Sequence, residues 1–139
     1  MINYSGTFNP NGNSDVGVYG WAENANGNRR LDYLIIESRG TYDPASNPSA
    51  RKKGTISCDG GSYDVYLQYS NYVGGFDRYL SIRTPKKNTG VISGTVTTAC
   101  HFGAWDTFGM TLGTRHDFQI LVTEGYFSSG SSNMTVSGS

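Results

Sequence analysis

Nine stretches suited to β-strands follow one another at short intervals, each closed by turn-forming residues, and only one stretch suits a helix. The strand candidates cover 2–9, 15–22, 31–37, 54–59, 62–69, 76–84, 91–96, 117–127 and 133–137. Between them lie Pro10-Asn11-Gly12-Asn13, a polar loop at 23–30 with Asn26-Gly27-Asn28, a Pro/Ser-rich loop at 43–51, Gly60-Gly61, and a turn over 85–90. Short strands at this spacing predict a sandwich or barrel and argue against a parallel α/β sheet. The exception is "TVTTACHFGAWDTFGM". There Cys100, Ala104, Trp105 and Phe108 recur at helical spacing, Thr97 or Thr98 is placed to cap the start, and Gly109 to end it. The expected fold is therefore all-β, two twisted antiparallel sheets with one short α-helix, in a single domain over 1–139. The last residues, 136–139, are expected to fray.

Composition narrows the function classes. The chain has 139 residues, with Lys plus Arg at 11 and Asp plus Glu at 11. A formal net charge of zero argues against a nucleic-acid partner, which needs a basic stripe to neutralise phosphates. No apolar run approaches the length of a membrane span, so no membrane role is expected. Two cysteines and two histidines, His101 and His116, lack metal-ligand spacing, so neither metal nor cofactor is expected. The 19 glycines and 10 tyrosines, with charged residues at only 16%, fit an extracellular all-β protein in mature form. Cys58 and Cys100 suit either one disulfide or two buried thiols.

Two carboxylates stand out. In "LDYLIIE" the period of two puts Asp32, Leu34 and Ile36 on one face, and Leu31, Tyr33, Ile35 and Glu37 on the other. An acid ending an apolar row is costly unless it is paired, solvated or used. In "FQILVTEGYFSSG", Phe118, Ile120, Val122 and Glu124 form a second such row. Desolvation there would favour the protonated form that a general acid needs. Two strands each delivering one carboxylate to one cleft is the layout of a glycoside hydrolase. Two solvated strand ends would give the same pattern.

The words "INYSGTFNPNGNS", "VYGW", "GTYDP", "GTISCDGGSYDVY", "SIRTPKKNTGVISGTV", "HFGAWDTFGMTLGT" and "VTEGYFSSGSSNMTVS" run through nearly the whole chain. Together they resemble the family 11 glycoside hydrolases, endo-β-1,4-xylanases with a β-jelly-roll fold. The resemblance implies a retaining hydrolysis of β-1,4-xylan, with Glu124 as acid/base and Asp32 where the family keeps a Glu nucleophile. It also implies a Cys58–Cys100 disulfide closing a loop of about forty residues, a constraint worth roughly 2–4 kcal/mol. No cofactor belongs to this chemistry. Xylan or another β-linked polysaccharide is the implied partner.

The chain departs from the family pattern around the cleft. Leu34 replaces a Tyr, Arg78 and Leu80 replace a Gln and a Trp, and Phe118 replaces a Tyr. Tyr19 and Trp21 remain from the aromatic lining, to stack on sugars or to pack in the core. The segment 67–83 is too short for the family's thumb. The family's opening strands have no counterpart, so the domain reads as N-terminally truncated, with exposed sheet edges that invite a homodimer. Arg78 either pairs with an acid or clamps a ligand. An Asp is one methylene shorter than a Glu, and a misplacement of about 1 Å can cost about 10²-fold in rate. Impaired or absent hydrolysis is therefore expected. The alternatives are a non-catalytic carbohydrate or small-ligand binding protein and an engineered or minimised scaffold.

Overall fold

The computed structural model of the chain describes residues 1–27, 29–69 and 76–138. Nine strands and one α-helix follow in the order β1 (Ile2–Asn11), β2 (Ser14–Asn24), β3 (Arg30–Arg39), β4 (Ala50–Cys58), β5 (Gly61–Gln68), β6 (Asp77–Arg83), β7 (Gly90–Val96), α1 (Thr98–Thr107), β8 (Leu112–Gly125) and β9 (Ser129–Gly138). They form a three-stranded sheet, β7-β1-β9, and a six-stranded sheet, β4-β5-β6-β3-β2-β8. Of the sandwich and the barrel that the strand rhythm allows, the sandwich is observed, and it is the jelly roll that the family resemblance implies. One pairing departs from the antiparallel expectation: β3 and β6 run parallel. Parallel neighbours need a long crossover, and here the β4–β5 hairpin lies between them in the chain.

The central strands read as near-continuous apolar runs because both of their faces are covered. On one face of β3, Leu31, Tyr33 and Ile35 join Phe8, Val18 and Trp105 in the main core between the sheets. On the other face, Leu34 and Ile36 pack with Leu80 and Ile82 of β6 in a second, smaller cluster. At about 25 cal/mol per Å² of apolar surface buried, these two faces fix the register of β3, because a one-residue slip would exchange their contents. Gly20 is required by this packing: a Cβ there would stand 2.3 Å from the Tyr33 hydroxyl.

Helix α1 buries His101 and Trp105 rather than the whole row Cys100, Ala104, Trp105 and Phe108. Both buried side chains meet one partner. Trp105 Nε1 donates to Ser81 Oγ at 2.9 Å, and His101 Nδ1 lies 3.0 Å from the same oxygen. Thr97 is the N-cap residue, yet its side chain does not cap the helix. Its backbone N–H and hydroxyl both donate to the Asp59 carboxylate, at 2.7 and 2.6 Å. Gly109 ends the helix with φ +74°, a left-handed turn that glycine takes without penalty. Cys58 and Cys100 are bonded, tying β4 to α1 across a separation of 42 residues.

Three sequence expectations change. β8 begins at Leu112 rather than at the expected 117, so it takes in His116. Residues 136–138 do not fray: β9 pairs with β1 as far as Ile2↔Gly138. Strand β4 starts at Ala50, taking in Arg51-Lys52-Lys53, because the basic side chains are exposed while the backbone pairs with β5. The shortened thumb falls partly on 70–75, and the loop glycine turn partly on 28; these positions lie outside the described residues. Strands β8 and β9 are the outer edges of their sheets, and most of their residues are exposed. Among the described residues, no helix is long and apolar enough to cross a membrane.

Candidate active site

Strands β3, β2, β6 and β8 deliver the side chains of interest to the face of the large sheet that points away from the main core. In register, Asp32 stands opposite Trp21 on β2 and Arg78 on β6, while Glu124 on β8 stands opposite Asp15 on β2. Asn13, Asp15, Leu34, Tyr42, Gln68, Arg78, Leu80 and Glu124 are among the residues lining a cavity of about 150 Å³ here. Small-molecule sites commonly enclose roughly 300–1,000 Å³, so this one is narrow. Leu34 and Leu80 line it, yet they are buried and belong to the apolar cluster beneath. Glu124 also borders a second cavity, of about 260 Å³, beside Ser128–Ser132 at the start of β9.

Asp32 is 0% exposed. Its Oδ1 accepts from Arg78 Nε at 2.9 Å, and its Oδ2 accepts from Arg78 Nη2 at 2.7 Å and from the Tyr19 hydroxyl at 3.0 Å. The guanidinium thus takes both carboxylate oxygens in a two-point fork, the strong form of this pair. It is Arg78, 31% exposed at its side chain, that presents surface to the cavity. The carboxylate lies beneath it. Arg78 is held charged by the hydrogen bonds to Asp32, against the opposing effect of burial. The Tyr19 phenol is pushed up to about 12, by burial first and then by the Asp32 charge beside it, so it stays a donor. Of the two roles open to Arg78 in the sequence, the ion pair is the one observed.

Glu124 is exposed on the edge strand β8, not desolvated at the end of its apolar row. The expectation of desolvation fails because Phe118 and Ile120, which should have formed that row, are each 44% exposed themselves. Tyr19 and Phe118 stand with ring centroids 6.0 Å apart. Trp21 is half-buried, packs edge-on against Phe76 at 4.5 Å, and carries the Arg30 guanidinium 5.3 Å above its ring. Tyr19, Trp21 and Phe118 therefore form an aromatic row running along β2 and β8.

Sequence reasoning missed Asp15. It shares the cavity with Glu124 and Arg78, and its Oδ1 is buried without a hydrogen-bond partner. Its carboxyl is pushed up to about 7, by burial first and by the neighbouring Glu124 charge second, with Arg78 pulling the other way. The signal was present in "SDVGVYGW": Asp15 lies an even number of residues from Tyr19 and Trp21, so it shares their face. No group of three or more metal-ligating side chains occurs among the described residues.

A carboxylate buried under an arginine, a second carboxylate on the rim, and an aromatic row beside them thus share one face of the large sheet of a jelly roll. The model of the glycosyl hydrolases family 11 matches residues 1–135, and the chain belongs to that family. Endo-1,4-beta-xylanase 1 of Leucoagaricus gongylophorus is 48% identical over 143 residues, covering 98% of this chain and 58% of that protein. Endo-1,4-beta-xylanase A of Schizophyllum commune is 45% identical over 142 residues, covering 97% of this chain and 69% of its own length. A solved structure from a comparison of two major endo-1,4-beta-xylanases of Trichoderma reesei superposes with a TM-score of 0.79 at 32% identity, over 99% of this chain and 74% of that one. The chain thus spans only part of the length of the relatives it matches.

Proposed function

We propose that this chain, acting as one jelly-roll domain, binds β-1,4-xylan or another β-linked polysaccharide and hydrolyses it by the retaining route at a strongly reduced rate. In that route Glu124 protonates the glycosidic oxygen while the Asp32 carboxylate attacks the anomeric carbon, so the leaving sugar departs and a glycosyl-enzyme ester forms. Glu124, now a base, takes a proton from the water that cleaves the ester. Retaining enzymes hold their two carboxyls at about 5–5.5 Å.

The observation that carries the reduced rate is the state of Asp32. Both of its oxygens are already committed to Arg78, and one also to Tyr19. Attack requires breaking at least one of these charge-assisted bonds, each worth about 1.5–3 kcal/mol. The shorter Asp side chain adds to that cost. Binding is supported by the aromatic row Tyr19, Trp21 and Phe118, whose faces suit sugar rings. The Cys58–Cys100 disulfide fits an extracellular site of action, where such bonds persist. The outer edges of β8 and β9, which meet no further strand among the described residues, support pairing with a second copy, which sedimentation of the intact chain would register as a dimer.

The test is reducing-sugar release from soluble xylan by the parent, Glu124→Gln, and the double variant Asp32→Glu/Arg78→Gln. Weak parental activity that Glu124→Gln abolishes, and that the double variant raises at least about tenfold, is the expected result. If all three are folded and inert, the retaining reading falls. Retardation of the parent in xylan-containing gels would then assign it a binding role, which the sealed Asp32 also favours.

A further inference from the structure

The ion pair at Asp32 removes more than a nucleophile. A general acid works only while it has a proton, and one way to keep a proton in a cleft is a like charge close by. The Asp32 charge is matched by Arg78 at 2.7 and 2.9 Å, so it does little of this. Asp15 is instead the carboxyl placed to hold a proton beside Glu124. Asp15 and Glu124 are direct cross-strand partners on β2 and β8, on the same face of the sheet, lining the same cavity. Directly opposed residues in an antiparallel pair hold their Cβ atoms about 4.5–5.5 Å apart. One Asp15 oxygen is buried without a partner.

We propose that Asp15 is a positioning residue for Glu124: the two carboxyls hold one proton between them, and Asp15 resupplies Glu124 with the proton it gives to the leaving sugar oxygen. This rests on Glu124 being the acid/base. The exchange balances simply. The Asp15 carboxylic acid passes its proton to the Glu124 carboxylate, leaving Asp15 ionised and Glu124 able to donate. Burial and the Glu124 charge push the Asp15 carboxyl up from 3.8 to about 7, which agrees with its being the proton-holding member.

The other groups facing Asp15 are accounted for. Arg78 on β6 opposes the effect but is committed to Asp32. Arg39 on β3 stands opposite Asp15 in register and is engaged by Asp43 at 3.2 Å, although its Nε has no partner. Tyr42, in the turn after β3, lines the same cavity. Arg39 is the rival partner: rotated onto Asp15, it would hold the carboxyl ionised and end the sharing.

The experiment is a carbon-detected NMR titration of the side-chain carboxyls in the intact chain, in the parent, Asp15→Asn, Glu124→Gln and Arg39→Met. The expected result is two coupled steps in the parent, the upper near pH 7. The upper step is absent in Asp15→Asn, and the Asp15 step falls by about one pH unit or more in Glu124→Gln. Where xylan activity is measurable, the upper limb of its pH profile falls with Asp15→Asn. An Asp15 that titrates near 4, ignores Glu124→Gln and rises in Arg39→Met overturns the proposal, with Arg39 as its true partner. Two coupled steps in a chain inert on xylan would leave the pair standing and overturn the acid/base reading of Glu124 and with it the resupply role.

Discussion

Strand β3 carries two carboxylates that are both 0% exposed, Asp32 near its start and Glu37 near its end, and each is met by an arginine of β6 and a tyrosine. Glu37 points into the core between the sheets, where its oxygens accept from the Tyr63 hydroxyl at 2.9 Å and from Arg83 at 3.2 Å. Asp32 points to the cleft, where Arg78 and Tyr19 do the same. The parallel pairing of β3 with β6 produces both, since it places Asp32 opposite Arg78 and keeps Glu37 in step with Arg83. The difference lies in the closure. The Arg83 side chain is 17% exposed and bonds Tyr63 as well as Glu37; the Arg78 side chain is 31% exposed and borders a cavity. The carboxylate proposed as the nucleophile is thus held here in the manner of a structural one, and what separates the two is how far water can reach the arginine.

The largest effect expected is on the core side. Arg83→Met leaves Glu37 charged, buried and unpaired by its cation, and breaking a buried pair in this way costs about 3–5 kcal/mol. Urea unfolding at neutral pH measures it. Burial already pushes the Glu37 carboxyl up despite Arg83, so the variant should recover stability as the pH is lowered and Glu37 takes a proton. A cost no larger than that of Arg78→Met would break the distinction between the two clamps.

Acid attacks the core clamp through a different neighbour. His101 packs edge-on against Tyr63 with ring centroids 4.7 Å apart, and burial pushes it down from 6.5 to about 4. The folded state therefore binds fewer protons than the unfolded chain between these values. Its stability contribution is complete above about pH 6.5 and is lost as the pH falls toward 4, by up to about 3 kcal/mol. Thermal melts of the parent and of His101→Asn across this window should converge at low pH. Parallel curves would show that His101 does not govern the acid limb.

The cleft side is expected to yield less. Arg78→Met strips Asp32 of its cation, but the opening over Arg78 lets water take part of the load, so about 2 kcal/mol is expected, below the range for a closed pair. The same substitution frees Asp32, so xylan hydrolysis should rise even as stability falls. A variant both as stable as the parent and no more active would show that Arg78 neither holds nor blocks Asp32.

How much of this was legible in the sequence follows from range. The strands, the helix and the two faces of β3 were readable because each rests on local periodicity, and the family words implied the Cys58–Cys100 bond that the structure contains. The ion pair was foreseen as one of two roles for Arg78, but choosing between them needed the parallel register of β3 and β6, which joins residues 46 positions apart. Asp15 was overlooked for the same reason: its partner Glu124 lies across a strand pair that no local pattern announces. Glu124 itself was placed on the right strand and face but in the wrong environment. Burial at an edge depends on what covers the strand, and periodicity within the strand carries no information about that. The N-cap position at Thr97 was legible, but the loss of its side-chain cap bond was not, because Asp59, in the turn after β4, takes both donors of Thr97.

The two tyrosines give the finest comparison. The Tyr63 hydroxyl donates to Glu37 and accepts from Arg83, both at 2.9 Å, and it is buried. Tyr63→Phe leaves both groups short of a partner, and about 1–3 kcal/mol is expected. The Tyr19 hydroxyl donates to an Asp32 oxygen that Arg78 also serves, and its other hydrogen-bond partner is the half-buried Trp21. Its removal leaves no oxygen bare, so Tyr19→Phe should cost only about 0.5–1 kcal/mol. Because the phenol is pushed up to about 12, that cost should be flat from about pH 5 to pH 9, over which Tyr19 remains protonated. Denaturant unfolding of both variants at several pH values tests the ranking. A Tyr19→Phe cost equal to that of Tyr63→Phe would mean that Arg78 does not satisfy Asp32 on its own, and that the cleft carboxylate depends on its tyrosine as closely as the core one does.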